Sequence, residues 1–166
     1  SALTADTVPT PPASAHALAW VAPDTVLAGF YKGGTIAHEN GHGIGLWRSA
    51  DGGRTWSAPR RLPEDILGPV KNRPVQLPNG DILCPVSTET PERQSKWAVH
   101  FERTRDLGRT WERIGPVHDG EAIRAIQPSI LFLGGDRLLA IGRSRQNKVF
   151  EVESADGGTT WKPMAL

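Results

Sequence analysis

The 166-residue chain has one cysteine, Cys84, so it can form neither an internal disulfide nor a cysteine-built zinc cage, and its redox compartment stays open. It has no long apolar run. Stretches such as Ala17 to Val21 and Ile130 to Leu133 fall far below the roughly 18 residues that cross a bilayer, so the expectation is a water-soluble chain with no membrane partner. It has no excess of one charge either: a net charge of +1 without a basic block argues against a nucleic-acid or anionic-membrane surface. A helical signature is also missing. With 18 glycines and 14 prolines, no window sustains a 3.6-residue apolar period, and the expected class is all-β. Residues 1–14 read as a Pro/Thr/Ala spacer, and the lack of an initiating Met hints at export, which favours a periplasmic or secreted location over a cytoplasmic one.

What the chain does have is a repeat. One octapeptide occurs three times, as Ser49–Trp56, Thr104–Trp111 and Ser154–Trp161, and its aspartates Asp51, Asp106 and Asp156 are spaced by 55 and 50 residues. Repeats of that length, built of short alternating segments, point to propeller blades of about four strands each. Within the octapeptide the aspartate caps a tight turn, glycine supplies the positive φ, and Trp56, Trp111 or Trp161 buries an indole ring. These six residues are assigned to folding rather than chemistry.

The pattern S/T-x-D-x-G-x-T-W resembles the Asp box of sialidases and related β-propellers. Segments Gly68–Leu77, His100–Arg103, Ile126–Ile130 and Arg143–Gln146 resemble bacterial sialidase-like proteins with BNR repeats. The resemblance implies six blades, of which this chain has length for about half. The expected architecture is therefore an Asp-box β-propeller of three four-stranded blades, half of a six-bladed sialidase-like ring, with blade 1 over residues 15–65, blade 2 over 66–121 and blade 3 over 122–166. The strand reading is 15–21, 25–31, 43–50 and 58–62; then 72–77, 81–87, 97–104 and 112–117; then 126–133, 137–143, 149–155 and 162–166. Asn79-Gly80 and Gly134-Gly135 fall at hairpins, while Pro85 sits awkwardly inside a strand unless a bulge accommodates it. Half a ring leaves two blade faces open. A homodimer or a second half-propeller chain is the partner expected to cover them.

Strand polarity sorts the loops. The octapeptides lie at one end of the blades, and Lys71, Asn72, Arg73, Gln127, Arg143 and Arg145 gather at the other. Converging guanidinium and amide groups suit an acidic carbohydrate, because a guanidinium fork binds a carboxylate bidentately and amides fix hydroxyls. In that reading Arg73, Arg143 and Arg145 hold the carboxylate and Lys71, Asn72 and Gln127 the hydroxyls, and the resembling segments add His100 and Gln146 to the binding set. Glycoside hydrolysis also needs a proton donor and a second group. Glu89 is the leading acid and Glu102 the alternative, although Glu102 and His100 share the strand face opposite Trp97, Val99 and Phe101 and so fall between blades. Tyrosine-nucleophile sialidases imply a role for Tyr31, the single tyrosine. The function expected is a sialidase-like, exo-acting glycoside hydrolase. A non-catalytic glycan-binding or structural half-propeller and a polysaccharide lyase stand as alternatives. The reading calls for no cofactor.

His38-Glu39-Asn40-Gly41-His42 matches the zinc-protease motif H-E-x-x-H, whose chemistry requires a helix. The glycines around it disfavour one, so the segment is expected to be a loop with no resident metal.

Overall fold

The computed structural model describes residues 15–21, 24–31, 44–58, 60–68, 72–90 and 96–166, and only the backbone for 15–21, 28–31, 44 and 45. The described residues form eleven strands in three antiparallel sheets and no helix. The first sheet has the order β1 (Ala15–Val21), β2 (Thr25–Tyr31), β3 (Ile44–Ser49), β4 (Arg60–Arg61). The second runs β5 (Val75–Gln76), β6 (Ile82–Glu89), β7 (Trp97–Thr104), β8 (Glu112–Ile114), and the third β9 (Ala125–Gly134), β10 (Arg137–Ser144), β11 (Val149–Ser154). Sequential strands pair throughout each sheet, which is the meander of a propeller blade.

The twelfth expected strand, Lys162–Leu166, is reduced to one bridge between Ala165 and Glu151 and a bond from the Lys162 N–H to the Glu153 carbonyl. Pro163 lies between these contacts and has no N–H to continue the ladder. Pro85 is accommodated without a bulge. The β6–β7 register runs unbroken from Ile82 to Glu89, but pairing with β5 ends at Leu83, so Pro85 has a ladder neighbour on one side only.

The middle sheet is covered on both faces, and the alternation of β6 sorts its side chains between them. Ile82, Cys84 and Val86 join Leu27 and Leu46 of the first sheet and Leu62 just after it. Leu83 joins Val99 and Phe101 of β7 against Leu138, Ala140, Phe150 and Val152 of the third sheet. On the far side of the third sheet Leu131, Leu133 and Val149 stay exposed.

The three octapeptide turns share one hydrogen-bond pattern. In the first, the Thr55 N–H and hydroxyl donate to Asp51 at 2.9 and 2.6 Å, and Ser49 Oγ donates to Asp51 Oδ1 at 2.8 Å. Asp106 and Asp156 repeat these bonds with Thr110 and Thr104, and with Thr160 and Ser154. The threonine bonds are the main cause holding Asp51 and Asp156 down to about 2; at Asp106 burial pushes upward, but the bonds outweigh it and the value is again about 2. The second and third indoles lean on the preceding sheet, whereas Trp56 packs on Trp47 of its own sheet. Trp161 stacks on Phe101 with ring centroids 3.9 Å apart, and Trp111 packs against the cluster that contains Leu46.

Candidate functional site

Topology brings the ends of β6 and β10 and the starts of β7 and β9 together, at the end away from the octapeptides. There the guanidinium carbons of Arg143 and Arg145 lie 5.0 and 4.4 Å from the ring centroid of Trp97. Both distances are within cation–π range, and two cations on one indole concentrate positive charge at one point. Arg143 donates from Nε to Gln127 Oε1 at 3.1 Å. Its terminal nitrogens make no hydrogen bond among the described residues, which leaves the end of the fork open to a carboxylate.

Gln127 reaches Arg143 because the backbone bulges. Arg143 pairs with Ile126 and Ile141 with Ser129, so Gln127 and Pro128 together oppose the single residue Gly142. Gln127 has φ 59°, an uncommon left-handed conformation for a non-glycine residue. A side chain at Gly142 would put Cβ 2.6 Å from the Phe150 ring and 2.8 Å from the carbonyl oxygens of Gln127 and Ile126. The bulge is tied down from the second sheet: the Gln127 N–H donates to Ser87 Oγ at 3.2 Å, and Asn72 Nδ2 donates to the Pro128 carbonyl at 2.6 Å.

Of the residues expected at a site, Gln127, Arg143 and Arg145 therefore meet. Glu89, half-buried, is the strand partner of Trp97 and stands beside the cluster. Asn72 comes to the same place, but with its amide directed to the Pro128 carbonyl. Gln146 donates to the Ala122 carbonyl at 2.9 Å and accepts from the Arg124 N–H at 3.4 Å, holding the loop before β9. Arg73 is exposed on a groove of about 440 Å³ along the inner strands, with Val75, Gln76, Ser129 and Phe132 among its walls.

Two of the expected site residues lie apart from this cluster. His100 and Glu102 are fully buried, on the face of β7 opposite Trp97. The Glu102 carboxylate accepts the Leu67 N–H at 2.9 Å and the Gly68 N–H at 2.6 Å, and lies 3.0 Å from His100 Nε2. It ties the connection between the first two sheets to the core. Lys71, His38 and His42 lie outside the described residues, as does the side chain of Tyr31. No cluster of metal-ligating side chains occurs among the described residues.

Sequence reasoning missed Trp97, Ser87 and Gly142. Trp97 looks like an ordinary member of an apolar strand face. The available signal was Gly142 inside a strand together with Pro128 in the strand opposite, a pairing that marks a bulge.

A family model described as a BNR repeat-like domain matches residues 12–166. Among solved structures, a protein of unknown function from Dyadobacter fermentans is 22% identical, with TM-score 0.69 over 90% of this chain and 49% of its own. A Hadza microbial sialidase is 19% identical, with TM-score 0.64 over 84% of this chain and 30% of its own. An α-L-arabinofuranosidase from Fusarium graminearum is 18% identical, with TM-score 0.62 over 90% and 46%. At these identities the likeness is one of fold, and the chain spans half or less of each of these proteins. No curated protein sequence matches it.

Proposed function

Given that the chain belongs to the BNR repeat-like domain family, we propose that it forms the anion-binding part of a sialidase-like glycoside hydrolase site, acting on an acidic sugar. The observation that carries this reading is the pair of guanidinium groups on Trp97, with the Arg143 fork open at its end. Like charges held this close repel one another, and a bound carboxylate relieves the repulsion while gaining charge-assisted hydrogen bonds. Glu89 is the proposed acid, since it stands next to Trp97 while Glu102 is sealed. Tyr31, at the same end of β2, is the proposed nucleophile. A second copy, or another stretch of propeller, supplies the remainder of the ring.

The fold of two glycosidases with different names, a sialidase and an arabinofuranosidase, supports glycoside hydrolysis as the coarser class. The test is turnover of an aryl sialoside beside a neutral aryl arabinoside. Glu89→Gln should lower kcat by at least about a hundredfold if it supplies the proton, and Arg143→Ala or Arg145→Ala should raise KM for the acidic substrate alone. Unchanged turnover in Glu89→Gln removes it from the mechanism. Non-catalytic glycan binding is the second reading, favoured by the sealing of Glu102. Saturable sialoside binding without release of the aryl group would select it.

A further inference from the structure

We propose that Asn72 and Ser87 are positioning residues that set the Gln127–Pro128 bulge and, through it, the guanidinium of Arg143. The sequence suggested that Asn72 touches sugar hydroxyls, but the geometry gives its amide another task. Asn72 Nδ2 holds the Pro128 carbonyl at 2.6 Å and Ser87 Oγ holds the Gln127 N–H at 3.2 Å, so β6 and the segment before β5 grip consecutive residues of β9. Ser87 is buried, and solvent cannot readily replace it as the acceptor.

The grip matters because the conformation it fixes is unfavourable on its own. Gln127 at φ 59° has a Cβ in the crowded left-handed region, and such a residue persists only where its surroundings over-determine it. The over-determination here comes from three directions: Asn72 from the segment before β5, Ser87 from β6, and the bare backbone of Gly142 from β10. Its product is one side-chain bond, Gln127 Oε1 to Arg143 Nε, which orients the guanidinium. Released from Asn72 and Ser87, Gln127 returns to an extended φ and carries its carboxamide away from Arg143. The other cation on Trp97, Arg145, donates its backbone N–H to the Arg124 carbonyl at 2.9 Å.

The geometry stands without any assumption about ligand; only its consequence for sugar binding rests on the function proposed above. The experiment follows the Arg143 Nε–H resonance in nitrogen–proton correlation spectra of the 166-residue chain, identified by its loss in Arg143→Lys. It then measures binding of free N-acetylneuraminic acid. Asn72→Asp keeps the shape and removes the donor, Ser87→Ala removes the acceptor, and Ser87→Thr keeps it. In the first two, the Arg143 Nε–H is expected to shift toward its solvent-exposed position and exchange faster, with acid-sugar affinity falling roughly tenfold. Ser87→Thr should restore both, whereas a merely structural serine would show only a change in melting temperature. If Asn72→Asp fails to fold, Ser87→Ala against Ser87→Thr decides alone. An unmoved Arg143 resonance in folded Asn72→Asp or Ser87→Ala overturns the proposal. A shifted resonance in a chain whose parent never binds the sugar upholds it and overturns the carbohydrate reading instead.

Discussion

At the scale of single residues, burial separates the two candidate acids more sharply than sequence position does. Glu89 and Glu102 are both strand glutamates, and parity alone places Glu102 between blades without saying what it binds. The structure answers with the Leu67 and Gly68 N–H groups, partners 34 to 35 residues away that no local pattern announces. Glu102→Gln should destabilise the fold by about 2–4 kcal/mol, because an amide nitrogen then faces buried donors. The folded fraction should keep whatever sugar affinity the parent has. A chemical denaturation series beside a binding isotherm checks both halves, and a loss of affinity without loss of stability would return Glu102 to the site. Gly142→Ala makes a second residue-scale case. Two of the three atoms its Cβ would meet are backbone oxygens, which do not yield as a flexible side chain would. The expected cost is about 2–3 kcal/mol, read from the denaturation midpoint.

Among elements, the strands were the readable part and the bulge was not. β1, β2 and β7 occupy the spans expected from alternation and turn signals, and in β7 the side chains alternate between the two neighbouring sheets. β5 was expected over residues 72–77 and keeps only Val75–Gln76, since Asn72 turns to Pro128 and Pro74 cannot extend the ladder. The left-handed φ at Gln127 depends on Ser87, forty residues earlier, so no window of local sequence contains its cause. The octapeptide turns, by contrast, carry their partners within five residues, and they predict a pH response. Asp51, Asp106 and Asp156 sit at about 2 against an ordinary 3.8, so their contribution is complete above 3.8 and is lost as pH falls toward 2. His118 adds an earlier step. Its burial lowers its value below the ordinary 6.5, against weaker opposing pulls from a bond to the Ile123 backbone and from Asp119, so acidification below 6.5 favours the unfolded chain. Denaturant midpoints should fall in two stages as pH drops. His118→Gln should remove the first stage and Asp156→Asn should shrink the second; a single stage insensitive to either variant would contradict the assignment.

On the scale of the whole molecule, the third sheet ends in an open face. Leu131, Leu133 and Val149 are exposed there, among Glu151 and Glu153, in the direction away from the packed interface. A row of exposed apolar residues on a sheet favours contact with another surface. The 166-residue chain should associate as its concentration rises, and Leu131→Lys combined with Val149→Lys should suppress this. Light scattering over a dilution series reads the outcome, and a constant single-chain mass for the parent would refute it. Length and the octapeptide spacing carried this much of the large-scale picture. The octapeptide alignment also puts Glu151 where the two preceding sheets present Leu46 and Phe101, each three residues before its octapeptide, but the exposure of Glu151 shows only in the structure.

The stacking of Trp161 on Phe101, and of Trp111 on the cluster around Leu46, gives the array a grain. In the second and third repeats the most conspicuous residue closes the hydrophobic layer of the repeat before it, so there units of sequence and units of cohesion are offset by one step. A cut between repeats would leave the downstream piece with a stranded indole and the upstream piece with an unroofed ring. Damage from Trp161→Ala should accordingly surface first as faster amide exchange in β7, one sheet away from the substitution.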